Sequence, residues 1–311
     1  MSKIAFVFPG QGAQYVGMGK DFYDNFQEAK DVFAQAEEAS GLDVAAICFE
    51  ENDKINQTEY TQIAMLTVEL AIAKVLKAKG ITPCVTAGLS LGEYGAVVTA
   101  GIMNEKDALR VIRKRGILMQ NAVPSGGAMA AVLGSTQEAI EKICEETEGI
   151  VSIANYNCPG QIVITGEETA VDKACEALKE AGAKRCVKLN VSGPFHSPLL
   201  KEAGEELFKV LETVELSEMK IPYLTNVTGD YVENTTQVKE LLKEQVSSSV
   251  RWQQNVEKMI ADGVDVMIEV GPGKTLSGFL RKIDKEKKVT MYNVEHIEDL
   301  NKLLESERTL C

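Results

Sequence analysis

Gly88-Leu89-Ser90-Leu91-Gly92 matches G-x-S-x-G, the pattern of a nucleophile elbow. Such an elbow is a strained turn that presents a serine hydroxyl between a strand and a helix. The flanking glycines let the backbone turn tightly and leave the hydroxyl unobstructed. The pattern alone is modest evidence: at about 7% usage for each fixed residue, roughly one chance match arises per ten chains of this size. Its context is stronger. An apolar strand-length run at 85–89 precedes Ser90, and a helical pattern follows over 91–99. Ser90 then stands at a helix N-terminus, where the dipole and unpaired amides favour developing negative charge. The bland alternative is a serine that only caps the helix.

A serine nucleophile needs a base. The chain has two histidines. His296 lies in the acidic, surface-like run Glu295-His296-Ile297-Glu298-Asp299. His196 lies in Gly193-Pro194-Phe195-His196-Ser197-Pro198, at a junction between two segments of different organisation, a common place for a cleft. His196 is the better candidate. An oxyanion hole would use the amide after the nucleophile, that of Leu91, and one from another strand–helix loop, for which Pro9-Gly10-Gln11-Gly12 is placed. That loop also reads as a simple tight turn.

Arg115 follows Arg110, Arg113 and Lys114. The cluster reads either as a solvated basic face or, at Arg115, as a buried guanidinium that grips a carboxylate. Two other motifs fail. Gly10-Gln11-Gly12 would need glycine at 15 for a dinucleotide fingerprint and has Tyr15; Gly273-Lys274-Thr275 would need glycine at 268 for a phosphate loop and has Ile268.

The elements that must hold these residues alternate between apolar strands and longer helical patterns, which predicts an α/β protein with a mostly parallel sheet. Strands are predicted at Ile4–Phe8, 85–89, 264–270 and 289–294. Helices are predicted at 61–77 and from an Asn104 cap through about 121. The middle changes rhythm: strand Gly127–Leu133, helix 137–148, strands 150–154 and 162–165, helix 168–181, strand 185–191. That β-α-β-β-α-β order is the ferredoxin-like pattern. It predicts an inserted subdomain at 126–194, with 1–125 and 195–311 forming one large core.

Composition narrows the function. No apolar run approaches the length of a membrane span, and the opening apolar stretch ends at Pro9-Gly10, so a cytoplasmic location is expected. Seven cysteines, Cys48, Cys84, Cys144, Cys158, Cys175, Cys186 and Cys311, contain no C-x-x-C pair, so neither a disulfide framework nor a zinc site is expected. A formal charge of −13 argues against a nucleic-acid partner.

Taken together, these residues resemble the malonyl-CoA:acyl carrier protein transacylases of bacterial fatty acid synthesis. The resemblance spans essentially the whole chain. Phe6-Val7-Phe8-Pro9-Gly10-Gln11-Gly12 is similar to the family's opening motif, and Gly88-Leu89-Ser90-Leu91-Gly92-Glu93-Tyr94 to its elbow. Gly126 to Val132, Asn157 to Gln161 and Glu269 to Lys274 are similar to further signatures. The resemblance implies a hydrolase-like α/β core with an inserted ferredoxin-like subdomain. It implies Ser90 as nucleophile, His196 as base, the Gln11 and Leu91 amides as oxyanion hole, and Arg115 as carboxylate clamp. Phe195 matches the malonyl-selecting form of its motif. In the family a main-chain carbonyl near 250–252 orients the base without an acidic triad member, which implies Val250 and Arg251 as the orienting segment. Leu89 and Arg251 stand where many relatives carry histidine and glutamine.

The implied reaction is ping-pong malonyl transfer from malonyl-CoA to the thiol of acyl carrier protein, with no metal or redox cofactor. A polyketide-synthase acyltransferase, a serine thioesterase or hydrolase, and a non-catalytic docking module are the rival readings. For an acidic carrier, the candidate docking patches are Arg281, Lys282, Lys285, Lys287 and Lys288, and Lys184-Arg185. A solvated surface is the bland reading of both.

Overall fold

The computed structural model describes residues 2–310, with side chains described through residue 306; Cys311 lies outside them. Among the described residues nine strands form, in chain order: β1 (Ile4–Phe8), β2 (Val85–Gly88), β3 (Gly127–Leu133), β4 (Val151–Cys158), β5 (Gln161–Glu167), β6 (Arg185–Lys188), β7 (Tyr223–Leu224), β8 (Val266–Val270) and β9 (Thr290–Val294). Five of them make a parallel sheet in the order β7-β2-β1-β8-β9. The other four make a separate antiparallel sheet in the order β4-β5-β3-β6.

The parallel sheet explains the unbroken apolar runs. Helices cover both faces of such a sheet, so a central strand has no polar side. Ala5, Phe6, Val7 and Phe8 of β1 are all at most 1% exposed. The helix Thr58–Ala78 carries fifteen buried residues and packs chiefly against the helices Gln27–Ser40 and Glu105–Ala122. Asn104 caps Glu105–Ala122 as its type suggests, its side chain accepting from the Asp107 N–H at 2.8 Å.

The antiparallel sheet departs from the sequence reading at β4. This strand continues to Cys158, through residues expected to form a connection. Two register shifts, at Ile153/Asn155 and Tyr156/Cys158, break its alternation. A parallel bridge from Asn155 to Val250 also gives β4 a partner outside its own sheet. Polar residues therefore sit within a strand that a simple alternation rule ends too early. The turn itself is only Pro159-Gly160, with Gly160 at φ 76°.

Four loops leave the carboxyl ends of adjacent parallel strands: Gln11 follows β1, Ser90 follows β2, Asn226 follows β7 and Gly271 follows β8. Ligands of open α/β sheets bind at this edge.

Candidate active site

The elbow forms because two glycines permit it. A Cβ on Gly88 would lie 2.0 Å from the Gly92 carbonyl carbon, and one on Gly92 would lie 2.3 Å from the Phe8 carbonyl oxygen. Strand end, helix start and neighbouring β1 thus meet backbone to backbone. Ser90 takes φ 55°, a conformation that costs a non-glycine residue about 1–3 kcal/mol and is held by its surroundings. Much of that hold comes from buried Asn226. Its Oδ1 accepts from the Ser90 N–H at 2.7 Å, and its Nδ2 donates to the Gly88 carbonyl at 2.7 Å. Sequence reasoning missed Asn226, which follows a strand of two residues and carries no motif of its own.

His196 meets Ser90 as the elbow chemistry requires. Its Nε2 lies 2.8 Å from Ser90 Oγ, and the residue is 4% exposed. Its Nδ1 lies 2.8 Å from the Gln245 carbonyl oxygen. Since a carbonyl can only accept, Nδ1 carries the proton and Nε2 is left free to accept one; this tautomer is assigned from the network. Burial, then the nearby Arg115 charge, lowers the His196 pKa from 6.5 to about 4, against opposing backbone hydrogen bonds from Gln245 and Ser248. His296 is half exposed near Tyr15 and Asp21 instead.

The orienting carbonyl corrects the expectation placed on Val250 and Arg251. The Val250 carbonyl accepts from the Tyr156 N–H at 2.9 Å, and its N–H donates to Ala154, so its backbone is committed to β4. The Arg251 N–H donates to the Asn226 carbonyl, its Nε donates to Val227 O, and its guanidinium stacks on Tyr156. Gln245 closes the helix Val238–Gln245, where carbonyls lack intrahelical partners. Its side chain is equally occupied: Nε2 donates to Ser90 O at 2.9 Å and to Glu93 Oε2 at 2.6 Å.

Arg115 is fully buried, so the solvated-face reading fails. Its Nη1 donates to Gln62 Oε1 at 2.7 Å, and its Nη2 to Gln245 Oε1 at 2.8 Å and Ser90 Oγ at 3.2 Å. Its Nε finds no partner among the described residues, and its guanidinium lies 5.6 Å from the Tyr94 ring centroid. A cation with a donor left over thus sits directly behind the candidate nucleophile. Arg113 instead reaches Glu59.

The mouth of the site is a cavity of about 180 Å³ lined by residues that include Gln11, Leu89, Ser90, Leu189, Phe195 and His196. Gln11 anchors its side chain on Thr58 Oγ1 at 3.0 Å. Among the described residues, neither the Gln11 nor the Leu91 N–H donates to a protein acceptor. Thr275 and Phe279, on the helix Thr275–Ile283, also line the cavity, and that helix ends in exposed Arg281 and Lys282. Leu189 follows β6, which begins next to exposed Lys184. Arg281 and Lys282 thus share a helix with two cavity-lining residues, and Lys184-Arg185 opens the segment that leads to Leu189. A larger cavity, about 530 Å³, lies near the amino ends of the parallel strands and holds neither histidine nor Ser90.

A family model described as acyl transferase domain matches residues 5–299. The chain is 45% identical over 304 residues to the malonyl CoA-acyl carrier protein transacylase of Bacillus subtilis (strain 168), covering 96% of each. It is similar to the crystal structure of malonyl CoA-acyl carrier protein transacylase from Clostridium perfringens, with TM-score 0.95, 44% identity and coverage of 99% of this chain and 98% of the other. A solved complex of a type II PKS acyl-carrier protein with its malonyl-transacylase matches at TM-score 0.94 and 39% identity, covering 98% of this chain and 100% of that one.

Proposed function

The chain belongs to the acyl transferase domain family, and from that premise we propose that it moves a malonyl group from malonyl-CoA to the phosphopantetheine thiol of acyl carrier protein, feeding fatty acid synthesis. The observation that carries this reading is the double contact at Ser90 Oγ: His196 Nε2 at 2.8 Å and the buried Arg115 Nη2 at 3.2 Å meet on one hydroxyl. A nucleophile that shares its surroundings with a buried cation suits an acyl group that bears a carboxylate. Simple ester or thioester hydrolysis has no such need.

In the proposed mechanism His196 Nε2 takes the Ser90 proton as Oγ attacks the thioester carbonyl. The Leu91 and Gln11 N–H groups stabilise the oxyanion, each contributing about 3 kcal/mol. The C–S bond breaks, and His196 returns the proton to the departing CoA sulfur. The carrier thiol then gives its proton to His196, attacks the malonyl-serine ester, and Ser90 leaves with that proton. Gln245 O holds the imidazole in the required tautomer throughout. Arg115 binds the malonyl carboxylate, and Phe195 shapes the wall beside it. No step calls for a metal or redox cofactor, because a thioester is itself a reactive acyl donor.

The reading includes a division into a large core, 1–125 and 195–311, and an inserted subdomain, 126–194. The antiparallel strand order and the flanking helices Gln137–Glu146 and Glu168–Glu180 support a ferredoxin-like form for the insert. It also includes a cytoplasmic setting, where thiols stay reduced; the six described cysteines are all free. No helix of the described residues is long and apolar enough to cross a membrane. The similarity to a transacylase that serves a type II PKS carrier keeps a polyketide partner as the second reading.

Intact-protein mass spectrometry after mixing with malonyl-CoA tests the proposal. The expected result is a malonyl adduct on Ser90 that persists in water and is discharged by acyl carrier protein. An adduct that water removes as fast as the carrier does indicates a thioesterase.

A further inference from the structure

Glu93 lies in the first turn of the helix after the elbow and is fully buried. Its Oε2 accepts from the Asn226 N–H at 3.1 Å and from Gln245 Nε2 at 2.6 Å, while Oε1 has no partner among the described residues. Gln245 is therefore gripped at both ends, since its Oε1 accepts from Arg115 Nη2. A buried carboxyl and a buried guanidinium face each other across one amide, without a direct ion pair. The other titratable groups facing Glu93 are Tyr94 on its own helix and Tyr223 on β7. Burial raises both phenol pKa values and keeps them neutral. His196, beside Arg115, is uncharged above a pH of about 4.

We propose that Glu93 is a specificity-determining residue that works through Gln245: its carboxylate balances Arg115 before substrate binds, and it takes a proton from solvent when the carboxylate of the acyl group reaches Arg115. The inference rests on the reading of Arg115 as the carboxylate clamp. One buried cation cannot neutralise two anions in the same low-dielectric pocket, so the second anion drives protonation of the first. Burial already pushes Glu93 up to about 7, partly offset by its hydrogen bonds and by Arg115. Proton uptake near neutrality is therefore easily reached. Binding of proton and of carboxylate are then linked reciprocally. Above neutrality the affinity for a malonyl donor falls by up to about tenfold per pH unit, while an acetyl donor, which brings no carboxylate, is spared.

The test compares self-acylation of the full chain by malonyl-CoA and by acetyl-CoA between about pH 6 and 8.5, which cancels the ionisation of CoA itself. The expected result is a malonyl-to-acetyl ratio of apparent KM that rises about fivefold to tenfold from pH 7 to 8.5. Glu93→Gln keeps the volume and can still accept both hydrogen bonds through its amide oxygen. It should flatten that ratio and lower the KM for malonyl-CoA at pH 8. A role in folding alone would lower thermal stability and leave the pH profile in place. Should Glu93→Gln fail to fold, calorimetry on Ser90→Ala with each thioester, in two buffers of different ionisation heat, reads proton uptake directly. Uptake above the acetyl-CoA value at pH 7.5 supports the proposal. A pH-flat ratio in the unaltered chain, a slope that survives Glu93→Gln, or equal uptake overturns it. A chain that malonyl-CoA never acylates overturns the functional reading itself.

Discussion

His196 Nδ1 stands 2.8 Å from the carbonyl oxygen of Gln245, a neutral partner where many serine enzymes place a carboxylate. The carbonyl fixes the tautomer but adds no negative charge to stabilise an imidazolium. Burial and Arg115 act the other way and hold the pKa near 4.

The acidic limb of acylation should therefore lie far below the usual histidine range. His196 must be neutral to accept the Ser90 proton, and it stays neutral until the pH falls to about 4. At saturating malonyl-CoA, the single-turnover rate should hold through pH 6 and drop toward pH 4. A limb centred at the ordinary value of 6.5 would contradict the burial argument. The unfolded chain takes up a proton between these values and the folded chain does not, so stability is lost as pH falls from 6.5 toward about 4. Brief pH jumps from neutral buffer keep that loss out of the rate.

Ser90→Ala should form no malonyl adduct, and His196→Ala should slow acylation by about 10²–10⁴-fold. Intact mass against time measures both. Labelled malonyl stably attached to Ser90→Ala would remove Ser90 from the mechanism. Near-normal acylation of His196→Ala would send the search for the base elsewhere.

Arg115→Ala should separate two donors. A buried carboxylate without its cation costs several kcal/mol, so malonyl acylation should fall by about 10²–10³-fold, while acetyl acylation changes far less. Equal losses would reduce Arg115 to a structural part of the Gln62–Gln245 contact.

Asn226→Ala removes acceptor and donor from the elbow at once, leaving the Ser90 N–H and Gly88 carbonyl unpaired. Each orphaned group costs about 1–3 kcal/mol, so urea unfolding should show a loss of about 2–6 kcal/mol. Acylation should slow as well, because Ser90 is no longer held at φ 55°. Full stability in this variant would mean that the elbow is held by its glycines alone.

These residues differ in how far the sequence disclosed them. Ser90 was legible because an elbow needs local context only: strand, two glycines and helix. Arg115 was legible in part. Ala108, Ile112, Arg115 and Met119 are all buried and recur at spacings of four, three and four, which put Arg115 on the apolar stripe of its helix; Arg110, Arg113 and Lys114 fall off it. The neighbouring basic residues mask that stripe in the sequence. Gln245 and Asn226 left no such mark. They reach Ser90 across 155 and 136 residues of chain, and their roles arise from a helix end and a two-residue strand brought to one sheet edge. The β4 bridge to Val250 was hidden for the same reason, and it commits the Val250 backbone to β4 while the carbonyl that faces His196 is that of Gln245.

Carrier docking tests the two basic runs. The chain carries a formal charge of −13, so an acidic carrier must be drawn by a local patch against the net field. Arg281 and Lys282 end the helix that brings Thr275 and Phe279 to the cavity, and Lys282 reaches Gln161 beside the β4–β5 turn at 3.2 Å. Lys288 is paired with Glu286, which weakens the far end of that run. On the other strand path, Lys184 and Arg185 lead toward Leu189 at the cavity wall, with Val187 and Leu189 exposed on either side of Lys188. Lys188 is bridged to Glu168 and Asp172, so Lys184 and Arg185 are the cations better placed to attract a carrier. Patches of this kind steer encounter and set orientation more than they add affinity. Reversing charge at Arg281 and Lys282, or at Lys184 and Arg185, should leave self-acylation from malonyl-CoA nearly unchanged. Transfer to the carrier should slow about tenfold or more at low salt and lose its salt dependence, because the steering that salt screens is gone. Single-turnover transfer from the malonylated enzyme, measured across ionic strength, reads both effects. Unchanged transfer in both variants would place the docking surface away from these two runs.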